Sequence, residues 1–148
     1  MSPRLAALLF LAFLVLSAVA MTSAVGRADD FVLIRNAASD VAAISKDDLY
    51  KVYTGETKVL GSAVVQTVIG KEDSGELQWL AALFDMRPKD LLSRIKQQVF
   101  SGEMRRPVVA KTPGEAIAAV QNSRGGVAVV PASAVASLPR DVAVMPLE

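Results

Sequence analysis

Residues 112–131 read TPGEAIAAVQNSRGGVAVVP and contain the clearest local structure signals in the chain. Thr112 is a typical N-cap, Pro113 suits the first helical position, and Glu115 stands three residues after the cap. These residues predict a helix. Two glycines then turn the chain into Val127–Val130, an apolar run of strand-forming residues. A helix that leads directly into an apolar strand is the repeating unit of α/β folds.

The segments before this unit show the same alternation of strand and helix patterns. Phe31–Ile34 is a short run of strand formers. Ser45 is a suitable N-cap for a helix that Gly55 should end. Ala63–Ile69 is rich in β-branched residues and lies between two glycines, which predicts a buried strand.

Two further helices are predicted between this strand and residue 101. In the first, apolar residues recur at positions i, i+3, i+4 and i+7, and Asp73 with Glu76 is predicted to form a capping box at its start. In the second, Pro88 suits the first helical position. The apolar positions are Leu77, Leu80, Ala81 and Phe84 in the first helix and Leu91, Leu92, Ile95 and Val99 in the second. The two helices are expected to form a helical hairpin.

Strands that alternate with helices predict an α/β fold with a mainly parallel sheet flanked by helices. Val142–Met145 adds one more short strand near the end of the sequence. Residues 29–148 number about 120, which is the size of a single domain with one core. One α/β domain is therefore predicted over residues 29–148.

The first 28 residues have the order of a cleavable signal peptide. Arg4 supplies the positive charge, and Leu5–Ala20 is an unbroken apolar run. Gly26 and Ala28 are small residues at the positions that cleavage after Ala28 requires, although Ala18–Ala20 would serve as well. An uncleaved membrane anchor is the alternative. The protein is therefore expected in the periplasm or elsewhere outside the cytoplasm.

The charge balance of the mature chain argues against nucleic acid as a partner. Removing Arg4 and Arg27 from the 16 Lys and Arg residues leaves 14 against 15 Asp and Glu, a net charge of −1. Binding to nucleic acid depends on a concentrated basic face, and none survives here. Anionic membrane surfaces are poor partners for the same reason.

The chain has no cysteine and no histidine. Disulfides, thiol catalysis, the usual zinc sites and imidazole-based triads are therefore excluded. The paired carboxylates Asp47-Asp48 and Glu72-Asp73 are adjacent in sequence and suit helix caps better than an acid/base pair. We therefore expect no enzyme activity, no cofactor and no metal.

The order of several motifs resembles the phosphate-binding subunits of bacterial phosphate ABC importers. The resemblance spans most of residues 31–135 and is to one lobe of these two-lobed periplasmic binding proteins, of the type II fold, and to their short one-lobe relatives. The motifs that carry it, after the first strand, are Ile44-Ser45-Lys46-Asp47-Asp48-Leu49, Val52-Tyr53-Thr54-Gly55, Lys71-Glu72-Asp73-Ser74-Gly75 and Gly125-Gly126-Val127-Ala128-Val129-Val130-Pro131.

The resemblance implies an anion site at the start of the helix that contains Leu77, Leu80 and Phe84. In the family a Ser-Gly-Thr at a strand-to-helix junction holds phosphate, and a nearby Arg adds charge. Ser74 and Gly75 match this motif, but Glu76 stands where the family has Thr, and Lys71 lies near the position of the Arg. A carboxylate there repels an anion and supplies no hydroxyl. An ordinary helix start, which contains the same residue types, is the alternative interpretation of Ser74 and Glu76.

Three other polar residues are candidates for the same crevice. Asn36 and Ser39 follow the first strand, where they would serve either as ligands or as turn residues. Ser133 follows the last apolar strand and would serve either as a ligand or as a cap. Arg105-Arg106 is either an anion clamp or a pair of solvated charges.

The leading expectation is an extracytoplasmic solute-binding protein for phosphate or a similar oxyanion, linked to phosphate uptake or sensing. One lobe cannot close over a ligand by itself. Either the second copy in a homodimer or an importer or envelope protein partner covers the site, or the site stays permanently open and binds weakly. The alternative is a non-binding envelope interaction protein that retains the fold, which Glu76 favours.

Overall fold

A computed structural model describes residues 30–148, so the predicted signal peptide, residues 1–28, lies outside the described residues. The strands in chain order are β1 (Phe31–Asn36), β2 (Val59–Leu60), β3 (Ala63–Val64), β4 (Gln66–Ile69), β5 (Val108–Val109), β6 (Gly126–Pro131) and β7 (Val142–Val144). The α-helices are α1 (Lys46–Tyr53), α2 (Gly75–Leu83), α3 (Pro88–Phe100) and α4 (Pro113–Gln121), and a 3-10 helix covers Ala132–Ser137.

Five strands form the main sheet in the order β5-β4-β6-β1-β7. Strand β4 pairs in parallel with both β5 and β6, whereas β1 pairs antiparallel with β6 and β7. Strands β4, β5, β6 and β7 therefore run in one direction and β1 runs in the other. The predicted α/β fold with a mainly parallel sheet flanked by helices is confirmed.

The sheet is covered by helices on both faces. Val127 and Val129 of β6 belong to the apolar cluster that contains residues of α1, α2 and α3. Ala128 and Val130, which point to the opposite face, belong to the cluster that contains residues of α4. The continuous apolar run in β6 is thus the pattern of a strand that is buried on both faces.

Most of the predicted helix signals match the structure. The side chains of Ser45 and Thr112 accept hydrogen bonds from Asp48 N and Glu115 N and so act as N-caps. Gly55 follows α1 with φ +79°, a conformation that glycine adopts without strain. Helices α2 and α3 are adjacent and pack against each other, as the predicted hairpin requires.

The prediction of one strand over Ala63–Ile69 was wrong, because the backbone changes partner at Val65. Residues Ala63–Val64 pair with Val59–Leu60 in a separate two-stranded hairpin. Val65 N donates to Lys58 O at 3.0 Å, whereas the next amide, Gln66 N, donates to Gly125 O at 2.9 Å. Only Gln66–Ile69 enters the main sheet. Strand β5 was not predicted, since its two valines are exposed.

Tyr53 connects α1 to the centre of the sheet. Its side chain is fully buried, and its hydroxyl donates to Val68 O at 3.1 Å and lies 3.4 Å from Val127 O. Burial raises the pKa of Tyr53 well above its usual value, because the phenolate would lose its hydration. The folded protein therefore keeps this hydroxyl protonated at a pH where an unfolded chain would ionise it.

This difference predicts a loss of stability in alkali. Above about pH 10 the unfolded state releases the Tyr53 proton and the folded state does not, so the unfolding free energy should fall as pH rises. Tyr53→Phe should lower stability by about 1 kcal/mol at neutral pH and make the alkaline decline shallower. Denaturant unfolding between pH 8 and 11, with Tyr50→Phe as the matched control, measures both effects. Equal alkaline slopes for Tyr53→Phe and the wild type would contradict the prediction.

Candidate functional site

A crevice opens at the carboxyl ends of the adjacent parallel strands β4 and β5. Strand β4 leads into α2 on one face of the sheet, and β5 leads into α4 on the other face. In open α/β sheets, ligands bind where neighbouring strands send their connections to opposite faces. The crevice has a volume of about 310 Å³ and is named here the β4–β5 crevice. Its lining residues are Gly70, Lys71, Asp73, Ser74, Glu76, Ala110, Lys111, Thr112 and Val129.

The start of α2 forms one wall of the β4–β5 crevice. The Ser74 hydroxyl accepts from Leu77 N at 3.2 Å and donates to Lys71 O at 2.7 Å. The predicted capping box of Asp73 with Glu76 was wrong, because Ser74 is the N-cap. Gly70 lies so close to the Ser74 side chain that a Cβ there would collide with it. The turn therefore holds the Ser74 hydroxyl in place.

The start of α4 forms the facing wall. Thr112 Oγ1 accepts from Glu115 N at 3.2 Å, and the Glu115 carboxylate accepts from Lys111 N at 2.7 Å. The first contact satisfies an amide of the first turn of α4, and the second satisfies the amide of the residue before the N-cap. The N-terminal ends of two helices thus border one crevice, and each carries a partial positive charge.

The charged side chains in the β4–β5 crevice balance each other in number. Lys71 and Lys111 supply two cations, and Asp73 and Glu76 supply two carboxylates. Within residues 30–148, none of the four enters an ion pair. Glu76 is half-buried and the other three are exposed, so water screens most of their mutual interaction.

The structure brings together only some of the predicted site residues. Lys71, Ser74 and Glu76 line the β4–β5 crevice. Gly75, the first residue of α2, lies beside it, and the Phe31 ring packs so closely on Gly75 that a Cβ would lie 2.8 Å from its Cζ.

Asn36 and Ser39 are not part of the β4–β5 crevice, because Asn36 is the last residue of β1, at the opposite end of the sheet, and Ser39 lies in the turn after it. The Asn36 amide donates to Val120 O at 3.1 Å and Gln121 O at 3.2 Å, and its oxygen accepts from Ala38 N. Ser39 is likewise buried, and its hydroxyl lies 3.4 Å from Val41 N. The expectation that both residues face the same crevice as Ser74 is therefore corrected. They organise the turn after β1 and join it to the end of α4.

Ser133 is exposed in the 3-10 helix after β6 and does not line the β4–β5 crevice. Arg105 and Arg106 precede β5 at the end opposite to the crevice, and both side chains are exposed. The structure thus places Ser133 and both arginines outside the crevice.

Lys111 and Thr112 line the β4–β5 crevice but were not proposed as site residues. Their position depends on β5, a strand of two exposed residues that has no hydrophobic pattern. The helix-start signal Thr112-Pro113-Gly114-Glu115 correctly predicts the start of α4, which forms this wall of the crevice. The sequence does not show which strand lies next to β4, and so does not show that the start of α4 lies beside Ser74.

No cluster of three or more potential metal ligands occurs within residues 30–148. Over the same residues, no helix has the length and apolar character needed to cross a membrane.

Comparison with solved structures relates the chain to phosphate transport receptors at the level of the fold. An ABC-type phosphate transport receptor from Vibrio cholerae is similar with a TM-score of 0.52 and 14% identity, over 80% of this chain and 46% of the receptor. PstS from Borrelia burgdorferi is similar with a TM-score of 0.56 and 13% identity, over 81% of this chain and 47% of that protein. The chain therefore spans about half the length of these proteins. No protein-family model and no curated protein matches it.

The geometry of Ser74 predicts a measurable contribution to stability. Ser74→Ala removes the cap from Leu77 N and the bond to Lys71 O, so the unfolding free energy should fall by about 1 kcal/mol. Ser45→Ala, which removes the equivalent cap of α1, should cost a similar amount and serves as the matched control. Denaturant unfolding of both variants tests this. An unchanged stability in Ser74→Ala, together with a loss in Ser45→Ala, would contradict the structural role of Ser74.

Proposed function

We propose that the chain is an extracytoplasmic solute-binding protein that holds phosphate or a similar oxyanion in the β4–β5 crevice and serves phosphate uptake or sensing. The observation that carries the proposal is the convergence of two helix N-termini and two lysines, Lys71 and Lys111, on one crevice. The fold that the chain shares with an ABC-type phosphate transport receptor supports it. The same likeness supports a binding role rather than an enzymatic one.

The backbone supplies hydrogen-bond donors for an oxyanion. The amides of Gly75 and Glu76 in α2, and of Gly114 in α4, belong to first helical turns, where no carbonyl four residues earlier in the helix can accept from them. The helix dipoles add partial positive charge at the same two places. An anion between the two helix starts would therefore meet donors from both walls.

Lys71 and Lys111 attract an anion without the paired geometry of an arginine. A lysine ammonium acts as a point charge, and both of these lysines are exposed. Each contributes about 1 kcal/mol at 4 Å in a water-like environment, and salt weakens that attraction. Binding is thus expected to be weak and sensitive to ionic strength.

Asp73 and Glu76 favour an oxyanion that carries a proton. A fully ionised oxyanion is repelled by both carboxylates, whereas a protonated one donates a hydrogen bond to either of them. Phosphate retains a proton near neutral pH and sulfate does not. The two carboxylates therefore support a preference for phosphate over sulfate.

The β4–β5 crevice is open to solvent on the side away from the sheet, since most of its polar residues are exposed. A ligand there would keep much of its hydration, and tight binding requires a cover. A second copy of the chain, or a protein of an importer or of the envelope, would supply one. The proposal includes such a partner, in keeping with a chain that spans about half of the receptors' length.

One observation favours a second function, that of a non-binding envelope interaction protein. The Ser74 hydroxyl already donates to Lys71 O, so it must break this bond before it can donate to a ligand. The carboxylate of Glu76 adds repulsion beside it. A protein that keeps the fold only as a scaffold has no need of an accessible hydroxyl there.

Phosphate should stabilise the folded protein if the β4–β5 crevice binds it. The protein is expressed from its full sequence, and its thermal unfolding is followed as phosphate increases at constant ionic strength, with chloride and sulfate in parallel. A ligand at 100 times its dissociation constant stabilises the folded state by about 2.7 kcal/mol. We expect a saturable rise in melting temperature with phosphate, and a smaller rise with sulfate.

Two variants test whether the stabilisation by phosphate arises in the β4–β5 crevice. The double variant Lys71→Gln/Lys111→Gln should lose the phosphate response, whereas Lys89→Gln, which removes an exposed lysine of α3, should retain it. A response that is equal for phosphate, sulfate and chloride would show a general salt effect and would refute the proposal. No response up to millimolar phosphate would favour the interaction protein.

A further inference from the structure

A second concave surface lies between α3 and the outer strand β5. Its floor is formed by apolar side chains of α3 and by Ile69 at the end of β4, and its volume is about 670 Å³. Lys96 and Arg106 stand at its rim. This surface, named here the α3–β5 groove, is separate from the residues that line the β4–β5 crevice.

The α3–β5 groove and its border expose several large apolar side chains to solvent. Phe100, the last residue of α3, is 97% exposed, and Val108 and Val109 are 40% and 55% exposed. Single exposed apolar residues are common on protein surfaces. Here Phe100 and Val109 line an apolar concavity, and contiguous patches of this kind mark interaction sites.

Strand β5 also has unpaired backbone groups on its outer side. Among the strands of the described residues it neighbours only β4. Ala110 N donates to Ile69 O at 2.9 Å, so the N–H of Ala110 points toward β4. Because alternate residues of a strand point to opposite sides, the N–H and C=O of Val109 point away from the sheet. They are placed to pair with an added strand.

The charges around β5 identify the kind of strand that fits. Arg105 and Arg106 precede the strand and Lys111 follows it. Within residues 30–148 the side chains of Lys96, Arg105, Arg106 and Lys111 form no ion pair. The edge is therefore basic at both ends and apolar between them.

A second copy of this chain does not suit this edge. An antiparallel pair of two β5 strands would set Val109, whose backbone groups point outward, opposite Val109 of the other copy, and would so place Lys111 opposite Pro107 and next to Arg106 of that copy. Like charges brought this close across a strand pair repel each other, and charges of this kind oppose edge-to-edge association. A strand with acidic ends meets opposite charges at both positions instead.

We propose that the α3–β5 groove binds an extended segment of a partner protein that has apolar residues between acidic ends. The segment pairs with the outward backbone groups of Val109 and adds a strand to the sheet, which is a known mode of peptide recognition. Its apolar side chains enter the groove beside Phe100. Its acidic ends face Arg106 and Lys111, the basic residues that flank β5, and Lys96 adds positive charge beside the groove. This function does not require an anion in the β4–β5 crevice, with which it shares only Lys111.

A synthetic peptide, acetyl-DEVTVTVED-amide, is the probe, with acetyl-KKVTVTVKK-amide as the charge-reversed control. Each is titrated into the isotopically labelled protein, expressed from its full sequence, and backbone amide shifts are followed by NMR. We expect saturable shifts at Val109 and Phe100 with the acidic peptide and weaker binding of the basic one. No saturable shift at Val109 up to millimolar acidic peptide overturns the proposal.

Three variants separate backbone pairing from charge. Val109→Pro removes the outward N–H and should weaken the acidic peptide about fivefold, the equivalent of one hydrogen bond, whereas Val109→Thr keeps the N–H and should bind as the wild type does. Arg106→Glu should weaken the acidic peptide and strengthen the basic one, so the test stands even if the proline variant fails to fold. Equal binding by all three variants overturns the proposal.

Two other occupants of the α3–β5 groove give different results. Sedimentation of the protein alone that shows a dimer, lost in Val109→Pro and kept in Val109→Thr, would identify a second copy and overturn the proposal. Binding to vesicles of anionic phospholipid that is lost in Phe100→Ser, without peptide binding, would identify a membrane and overturn it as well. Lys71→Gln should leave peptide binding unchanged, which separates this function from anion binding.

Discussion

The burial of strand β6 on both faces is the constraint on which the rest of the architecture depends. Val127, Ala128 and Val130 have no exposed surface, so each face of this strand must be covered by helices. Helices α1, α2 and α3 supply one layer and α4 supplies the other. An apolar strand of this kind cannot lie at an edge or against water without losing the free energy of its burial.

The same constraint creates the β4–β5 crevice. Because helices are needed on both faces, the chain must leave β4 toward one face and β5 toward the other. The two helix starts then face each other across the carboxyl ends of the strands. The position of the crevice thus follows from the layer arrangement, whereas its chemistry depends on a few exposed side chains. Those side chains include both signs of charge, which limits how strongly any anion is held.

The sequence predicts the helices and strands better than it predicts which of them lie next to each other. The helix start at Thr112 and the strand Val127–Val130 carry local signals, namely capping residues and an apolar run, and the structure has both. Strand β5 has two exposed valines and pairs with β4 across about 40 residues of chain, so no local pattern marks it. Asn36 is predicted to lie in the crevice because it follows the predicted strand Phe31–Ile34. However, β1 runs antiparallel to β6, so its last residues lie at the end of the sheet opposite to the crevice.

The position of β1 also governs when the sheet can form. The first strand of the described chain pairs with β6 and β7, which lie about 90 to 115 residues later. During synthesis β1 therefore has no partner until the segment that contains β6 and β7 has left the ribosome. Folding that waits for such distant contacts is slow, since the closure of a long loop precedes the contacts that stabilise it. A polypeptide of this topology keeps its first described strand unpaired, and therefore accessible to chaperones, until residues 126–144 have been synthesised.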